Sequence, residues 1–309
     1  MIIIRSKKQS KFEKNFIENF LIDKSDTNIF VDPEQYFKLK LESTKNKDLV
    51  IIYQPGNKDI YIEIDDFLNK LNSNYILIHL SDETLEGKNL HYKNAKVILR
   101  SYFDPFSNNK NIFTIPVGYQ NGFENNTEFN VQKKVKRKFL WSFFGQIYST
   151  RENMINELEN IKPNYLHRTS SFMSSDIVSP EEVKAAYENS IFSPCPYGYL
   201  NPDSFRIMES LESGCIPIVK KFLFIDYYKL IFGDHPFIVL NKWKSVEKEI
   251  TYLLSDPEAL EKKQEEVWKW YKNFKIDLKE DILSIYRGET EKLKSKQFIY
   301  QKNILIIFL

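Results

Sequence analysis

Ser204, Arg206 and Glu209 bring a hydroxyl, a guanidinium and a carboxylate together in one short segment. Arg206 carries a planar cationic fork that suits phosphate. Asp203 or Ser204 can cap a helix there, and a helix start favours an anion through its free N–H groups and its dipole. Glu209 falls one turn deeper on a similar face, where it can accept hydrogen bonds from a ribose diol. Phosphate and sugar together point to a nucleotide diphosphate ligand. The plainer alternative is a capped surface helix with an Arg206–Glu209 i,i+3 pair worth a few tenths of a kcal/mol.

The surrounding residues must place that helix. Ile191 and Phe192 end an apolar run, and Pro194, Pro196, Gly198 and Pro202 then forbid regular structure. Phe205, Met208 and Leu211 give the helix an apolar face, Gly214 can end it in a left-handed conformation, and residues 216–219 read as the next buried strand. Strand, loop, helix and strand in that order put Ser204 and Arg206 at the carboxyl end of a strand. Ligands of open α/β sheets bind at that end.

The run Ser204, Arg206, Glu209, Leu211, Gly214, Cys215, Pro217 and Val219, preceded by a Pro/Gly-rich loop, resembles the donor-binding segment of exostosin-like glycosyltransferases. A second stretch, 139–145 followed by Arg151, is similar to that family's apolar strand, glycine loop and basic helix start. Segments 75–83, 97–102 and 115–119 resemble the subgroup of ribitol xylosyltransferases. The resemblance implies an α/β fold of GT-B type, with two facing Rossmann-like domains and an interdomain cleft. It implies transfer of a sugar from a nucleotide diphosphate sugar, UDP-linked, to a glycan or polyol acceptor. Inversion is expected, with no cofactor and no DxD-bound metal. A catalytically inactive glycan- or nucleotide-binding module of the same fold is the alternative.

Carried onto this chain, the donor site comprises Gly145, Arg151, Ser193, Tyr197, Gly198, Ser204, Arg206 and Glu209. Gly145 would let backbone approach the phosphates, and Arg151 and Arg206 would stabilise the leaving diphosphate. Met154 and Ile155 follow Arg151 at i+3 and i+4, so its own helix offers it no carboxylate. The other reading of Arg151 is a solvated first-turn residue. For the proton of the acceptor, Asp82 is the first choice and Glu83 the second, because both follow an apparent strand end; a simple helix cap is the alternative. His79 reads as a satisfied strand-end histidine and Asp104 as a turn residue. His167 and Arg168 are candidates for base recognition, and Tyr119, Tyr197 and Tyr199 for lining the sugar.

Composition removes other classes. A net charge of +2 gives no field for nucleic acid. There is no Gly-x-x-x-x-Gly-Lys-Ser/Thr loop and no Gly-x-Gly-x-x-Gly fingerprint. Two cysteines, Cys195 and Cys215, make no disulfide framework, and with His79, His91, His167 and His235 scattered they make no zinc set. Residues 2–4 are too short for a signal peptide, and no run approaches the ~20 apolar residues of a spanning helix. A cytoplasmic enzyme is expected. Peripheral membrane contact stays open through the apolar tail 303–309 or the basic run Lys133, Lys134, Lys136, Arg137 and Lys138, otherwise read as a solvated linker.

Apolar runs at 49–53, 75–79, 96–100 and 112–115 read as strands, with a helix over 62–71. After a polar stretch at 122–138 the pattern restarts. Strands are expected at 138–144, 190–193, 216–219 and 236–240, and helices at 150–161, 180–187, 245–254 and 257–274. Residues 165–172 read as strand or loop. The domains expected are 1–130 on the acceptor side and 131–280 for the nucleotide sugar, with 281–309 crossing back to the first.

Overall fold

The computed structural model describes residues 1–7, 12–22, 28–39, 48–54, 58–84, 92–104, 111–124, 137–171 and 175–303. The chain forms two compact units. The first comprises Met1–Phe12, Ile17–Val117 and Asp277–Leu309; the second comprises Glu13–Phe16 and Gly118–Ile276.

The first unit is built on a parallel sheet of β1 (Ile2–Arg5), β2 (Ile29–Val31), β3 (Leu49–Tyr53), β4 (Tyr75–His79), β5 (Ala95–Ser101) and β6 (Ile112–Ile115), in the order β2-β1-β3-β4-β5-β6. β3 and β4 are buried along their whole length, which explains their unbroken apolar character. Helix α1 (Lys58–Lys70) lays Ile60, Ile64 and Phe67, with Leu71 just beyond, onto Ile2, Ile4, Leu49, Ile51 and Tyr53. Their i, i+4, i+7 spacing is the apolar stripe of a core-facing helix. β1 was not expected; its three isoleucines lie inside the sheet between β2 and β3. The last described helix, Lys296–Asn303, also belongs to this unit. Phe298 packs edge-on against Phe113, and Gln301 bonds both the N–H and the C=O of Thr114. The tail beyond 303, residues 133–136 of the basic run, Phe172 and His91 lie outside the described residues.

The second unit repeats the plan with β7 (Phe139–Gly145), β8 (Asn164–Arg168), β9 (Ser190–Pro194), β10 (Ile216–Lys220) and β11 (Ile238–Leu240), all parallel, in the order β11-β10-β9-β7-β8. Helices α2 (Thr150–Leu158), α3 (Pro180–Glu188) and α4 (Phe205–Glu212) connect them. In each sheet the second strand lies on one side of the first and the third lies on the other. Topological switch points therefore fall between β1 and β3 and between β7 and β9, where α/β sheets open to ligands.

Local signals account for the ends of these helices. Ser179 Oγ accepts from Glu182 N–H at 3.2 Å, and Pro180 opens α3. α4 closes on Gly214 at φ +70°, with Gly214 N–H donating to Leu211 O and Cys215 N–H to Ser210 O. That is a Schellman cap. Two further helices follow, α5 (Val246–Ser255) and α6 (Pro257–Arg287). Trp270, Tyr271 and Phe274 of α6 stack against one another, and Phe232 and Phe237 pack onto the group.

Arg137 corrects the linker reading of its end of the basic run. Its guanidinium donates to the carbonyls of Tyr187, Ser190 and Ser213. These are acceptors at helix ends and at the start of β9, which a cation satisfies.

Candidate active site

β7 ends in Gly145 and β9 in Pro194, so the switch point of the second sheet opens where α4 begins. The Arg206 guanidinium lies across the end of β7. Nε and Nη2 donate to the Phe144 carbonyl at 3.2 and 3.0 Å, and the group sits 4.9 Å over the Phe143 ring. Nη1 makes no hydrogen bond to any described residue. Gly145 holds φ +141°, and a Cβ there would lie 2.5 Å from Arg206 Nη2. The backbone conformation at this position favours glycine, and a side chain there would also displace the cation beside it.

Ser204 is the N-cap of α4, yet its side chain makes no capping bond. Its Oγ is buried and has no hydrogen-bond partner among the described residues. Buried hydroxyls are nearly always paired, so this one marks a place where a partner from outside the chain fits. Asp203 Oδ1 accepts from Ser204 N–H at 2.9 Å and fixes the approach to the helix.

Glu209 is buried, and its Oε1 accepts from Gln120 N–H at 3.4 Å. Burial pushes its carboxyl up to about 7, against the opposing pull of the Arg206 charge. Arg206 and Glu209 form no ion pair. Arg206 is turned to the β7 carbonyl instead, so the surface-pair alternative does not describe this helix.

Arg151 is nearly fully buried, and its donors are already directed. Nε and Nη2 bond the Tyr197 carbonyl at 3.2 and 2.9 Å, Nη1 bonds Gln146 O at 3.0 Å, and the guanidinium lies 4.3 Å over the Tyr148 ring. Tyr148 OH donates to Gly198 O at 3.1 Å. Arg151 therefore clamps the loop carrying Tyr197 and Gly198 onto the loop after β7. Carbonyls thus hold both edges of its fork.

Ser193 lies near the end of β9. It is fully buried, with its hydroxyl 3.7 Å from Cys195 Sγ, so it faces the interior. Tyr197 gives its hydroxyl to Lys221 O. Tyr119 is buried edge-on to Phe16, whereas Tyr199 is 71% exposed. His167 contacts Asp176 O, and Arg168 pairs with Glu159 at 3.4 Å. Cys195 and Cys215 are free and buried. Among the described residues no group of three or more His, Cys, Asp or Glu stands ready to hold a metal ion, and no helix is long and apolar enough to cross a membrane.

In the first unit, Asp82 follows β4 but does not face outward. Its Oδ2 lies 3.2 Å from His79 Nε2 and 3.5 Å from Arg100 Nη2. Arg100 is fully buried; its Nη1 donates to Tyr92 OH at 3.1 Å and lies 3.6 Å from Asp104 Oδ2. His79 Nδ1 meets Tyr92 OH at 3.0 Å. Burial lowers the His79 pKa, so the ring stays neutral and Asp82 serves mainly as the counter-ion of Arg100. Ser81 and Tyr102, the residues that turn Asp82 and Asp104 back onto Arg100, both hold positive φ, 57° and 65°. Such strain persists where the surroundings fix it. Asp82 is thus held between His79 and Arg100. Glu83, only partly buried, is the carboxylate at this strand end that stays within reach of solvent. The Arg100 cluster escaped sequence reading; the alternation of His79, Asp82, Arg100 and Asp104 around two strand ends was its only trace.

The family model described as the RXYLT1 C-terminal domain matches residues 119–290, more than half of the chain. No curated protein matches. Among solved structures, a crystal structure of an alpha1,3-fucosyltransferase aligns with a TM-score of 0.53 at 13% identity, over 95% of this chain and 91% of that one. An alpha1,3-fucosyltransferase crystal structure with GDP-fucose aligns with a TM-score of 0.48 at 14% identity, over 95% and 90%. The first of these likenesses shows a shared α/β fold of GT-B type.

Proposed function

The chain belongs to the RXYLT1 C-terminal domain family of exostosin-like glycosyltransferases, and from that premise we propose that it moves a sugar from a UDP-linked donor to a glycan or polyol hydroxyl with inversion. The observation that carries the donor assignment is the buried, unpartnered Ser204 hydroxyl at the start of α4, with Arg206 fixed beside Gly145 at the same switch point.

In this reading the diphosphate sits on the first turn of α4. Ser204 Oγ donates to a phosphate oxygen, and the Arg206 guanidinium faces the charge that builds on the leaving group. Preorganised donors aimed at developing charge are worth about 2.7–4 kcal/mol each in the transition state. They replace a metal in this role. Glu209 accepts from the ribose hydroxyls. Gly145 allows close approach, and Arg151 holds the Tyr197–Gly198 loop in place without touching the ligand. Glu83 of the first unit is the residue assigned to take the acceptor's proton.

A binding module that has lost catalysis is favoured by one observation, the withdrawal of Asp82 into the Arg100 cluster. The test is turnover with a panel of nucleotide sugars, in the presence and absence of EDTA. Donor hydrolysis or transfer with a UDP-sugar, unaffected by EDTA, supports the enzyme reading. Heat of UDP binding with no product from any donor supports the module, and neither heat nor product removes both.

A further inference from the structure

The turn after β10 breaks the local rules of its own geometry. Phe222 and Ile225 pair as an antiparallel bridge, with bonds of 3.0 and 2.9 Å in the two directions. That closes a two-residue loop over Leu223 and Phe224, which hold φ of 45° and 70°. Two consecutive positive φ values define a type I′ turn, whose central positions favour Asn and Gly. Leucine and phenylalanine are strained there. Burial does not offset the strain, because Leu223 is 67% and Phe224 95% exposed. Two large apolar side chains held out on a strained tip indicate a surface contact, since a free surface gains nothing from them.

The tip is braced from behind. The Phe222 ring packs against Tyr197 at 5.8 Å and Tyr227 at 6.1 Å, Tyr197 OH donates to Lys221 O, and Tyr227 OH donates to Asn201 Oδ1 at 3.3 Å. The supporting loop displays Tyr199 and Leu200, 71% and 57% exposed. The flanking charge is positive. Lys220 Nζ lies 4.8 Å over the Tyr197 ring, and neither Lys220 nor Lys221 forms an ion pair with a described residue. Asp234 pairs with Lys229 at 3.5 Å and Asp226 lies 3.3 Å from His235, so Lys220 and Lys221 face one carboxylate and leave the tip's base net positive.

An apolar tip with lysines at its base and a tyrosine beside it matches the profile of an anionic bilayer surface, from acyl boundary to headgroup phosphate. The lysines at its base, which form no ion pair with a described residue, favour an anionic surface over a protein partner. We propose that the Leu223–Phe224 turn docks the protein on an anionic lipid bilayer, with Leu223 and Phe224 entering the acyl boundary and Lys220 and Lys221 meeting the headgroups. This inference stands independently of the donor site.

The test is sedimentation of the full chain with vesicles of phosphatidylcholine alone and of equal parts phosphatidylcholine and phosphatidylglycerol. The wild type should pellet with the mixed vesicles and stay in solution with the neutral ones. Leu223→Asn with Phe224→Gly should cut partitioning by about tenfold or more while raising the melting temperature, because it removes the backbone strain. Lys220→Glu with Lys221→Glu should abolish the preference for the anionic mixture. Failure of the wild type to pellet overturns the proposal, as does unchanged partitioning of the Asn-Gly variant. Concentration-dependent self-association lost in that variant, without vesicle binding, assigns the tip to a contact between copies instead.

Discussion

Arg206 and Phe144 are joined by two hydrogen bonds, from Nε and Nη2 of the guanidinium to the single carbonyl at the end of β7. Sixty-two positions separate the two residues, so the contact ties the α4 start to the strand on the other side of the switch point. It also sets the guanidinium against Gly145. Gly145→Ala places a methyl 2.5 Å from Nη2 at a φ of +141°. The guanidinium must move, and affinity for UDP should fall about tenfold, the equivalent of 1.4 kcal/mol. Calorimetry of the variant checks this; undiminished affinity would show that the Arg206 position is immaterial to the ligand.

Under the proposed donor site, Glu209 should make UDP binding depend on pH. Its carboxyl is raised from 4.5 to about 7 by burial, so the folded protein holds a proton that the unfolded chain releases between those values. Stability contributed by this group therefore falls as pH rises from about 4.5 to about 7 and levels off above. Binding runs the other way, because only the ionised carboxylate accepts from both ribose hydroxyls. The UDP affinity of the wild type relative to Glu209→Gln should rise with pH through about 7. A ratio that stays flat from acid to alkaline pH would contradict the ribose assignment.

Asp82 and Glu83 separate by what their removal does. Asp82→Asn leaves Arg100 buried with Asp104 as its remaining carboxylate, 3.6 Å away. Loss of one partner from a buried pair costs about 3–5 kcal/mol, so the melting temperature should drop sharply. Glu83→Gln should melt like the wild type yet turn over about a hundredfold more slowly. The reverse pattern, with a stable inactive Asp82→Asn and an active Glu83→Gln, would return the base to Asp82.

Much of this was legible because some signals are local. Unbroken apolar runs such as Leu49–Tyr53 and Tyr75–His79 declare strands buried on both faces, and Ser179-Pro180 and Gly214 declare helix ends. β8 stayed ambiguous because it is a sheet edge whose residues are only partly buried, which blurs its pattern. β1 was missed because a short apolar run next to basic residues also fits the beginning of a targeting segment.

The site was legible by residue type and not by direction. Arg206 and Arg151 look alike in sequence, yet one borders the switch point and the other is clamped to a carbonyl 46 positions away. Adjacent Asp82 and Glu83 differ in burial because Ser81, at φ 57°, turns the chain, and Arg100 from the neighbouring strand captures the first carboxylate. Such partners come from strand order, and strand order leaves no mark in local composition.

Calorimetric titration of the wild type and of Arg206→Ala with UDP, and with uridine as a ligand lacking the diphosphate, tests the donor site most directly. Loss of the guanidinium should weaken UDP binding by about tenfold or more and leave uridine unaffected, since a charge-assisted contact to phosphate is worth about 1.5–3 kcal/mol. Equal UDP affinity in the two proteins would contradict the account.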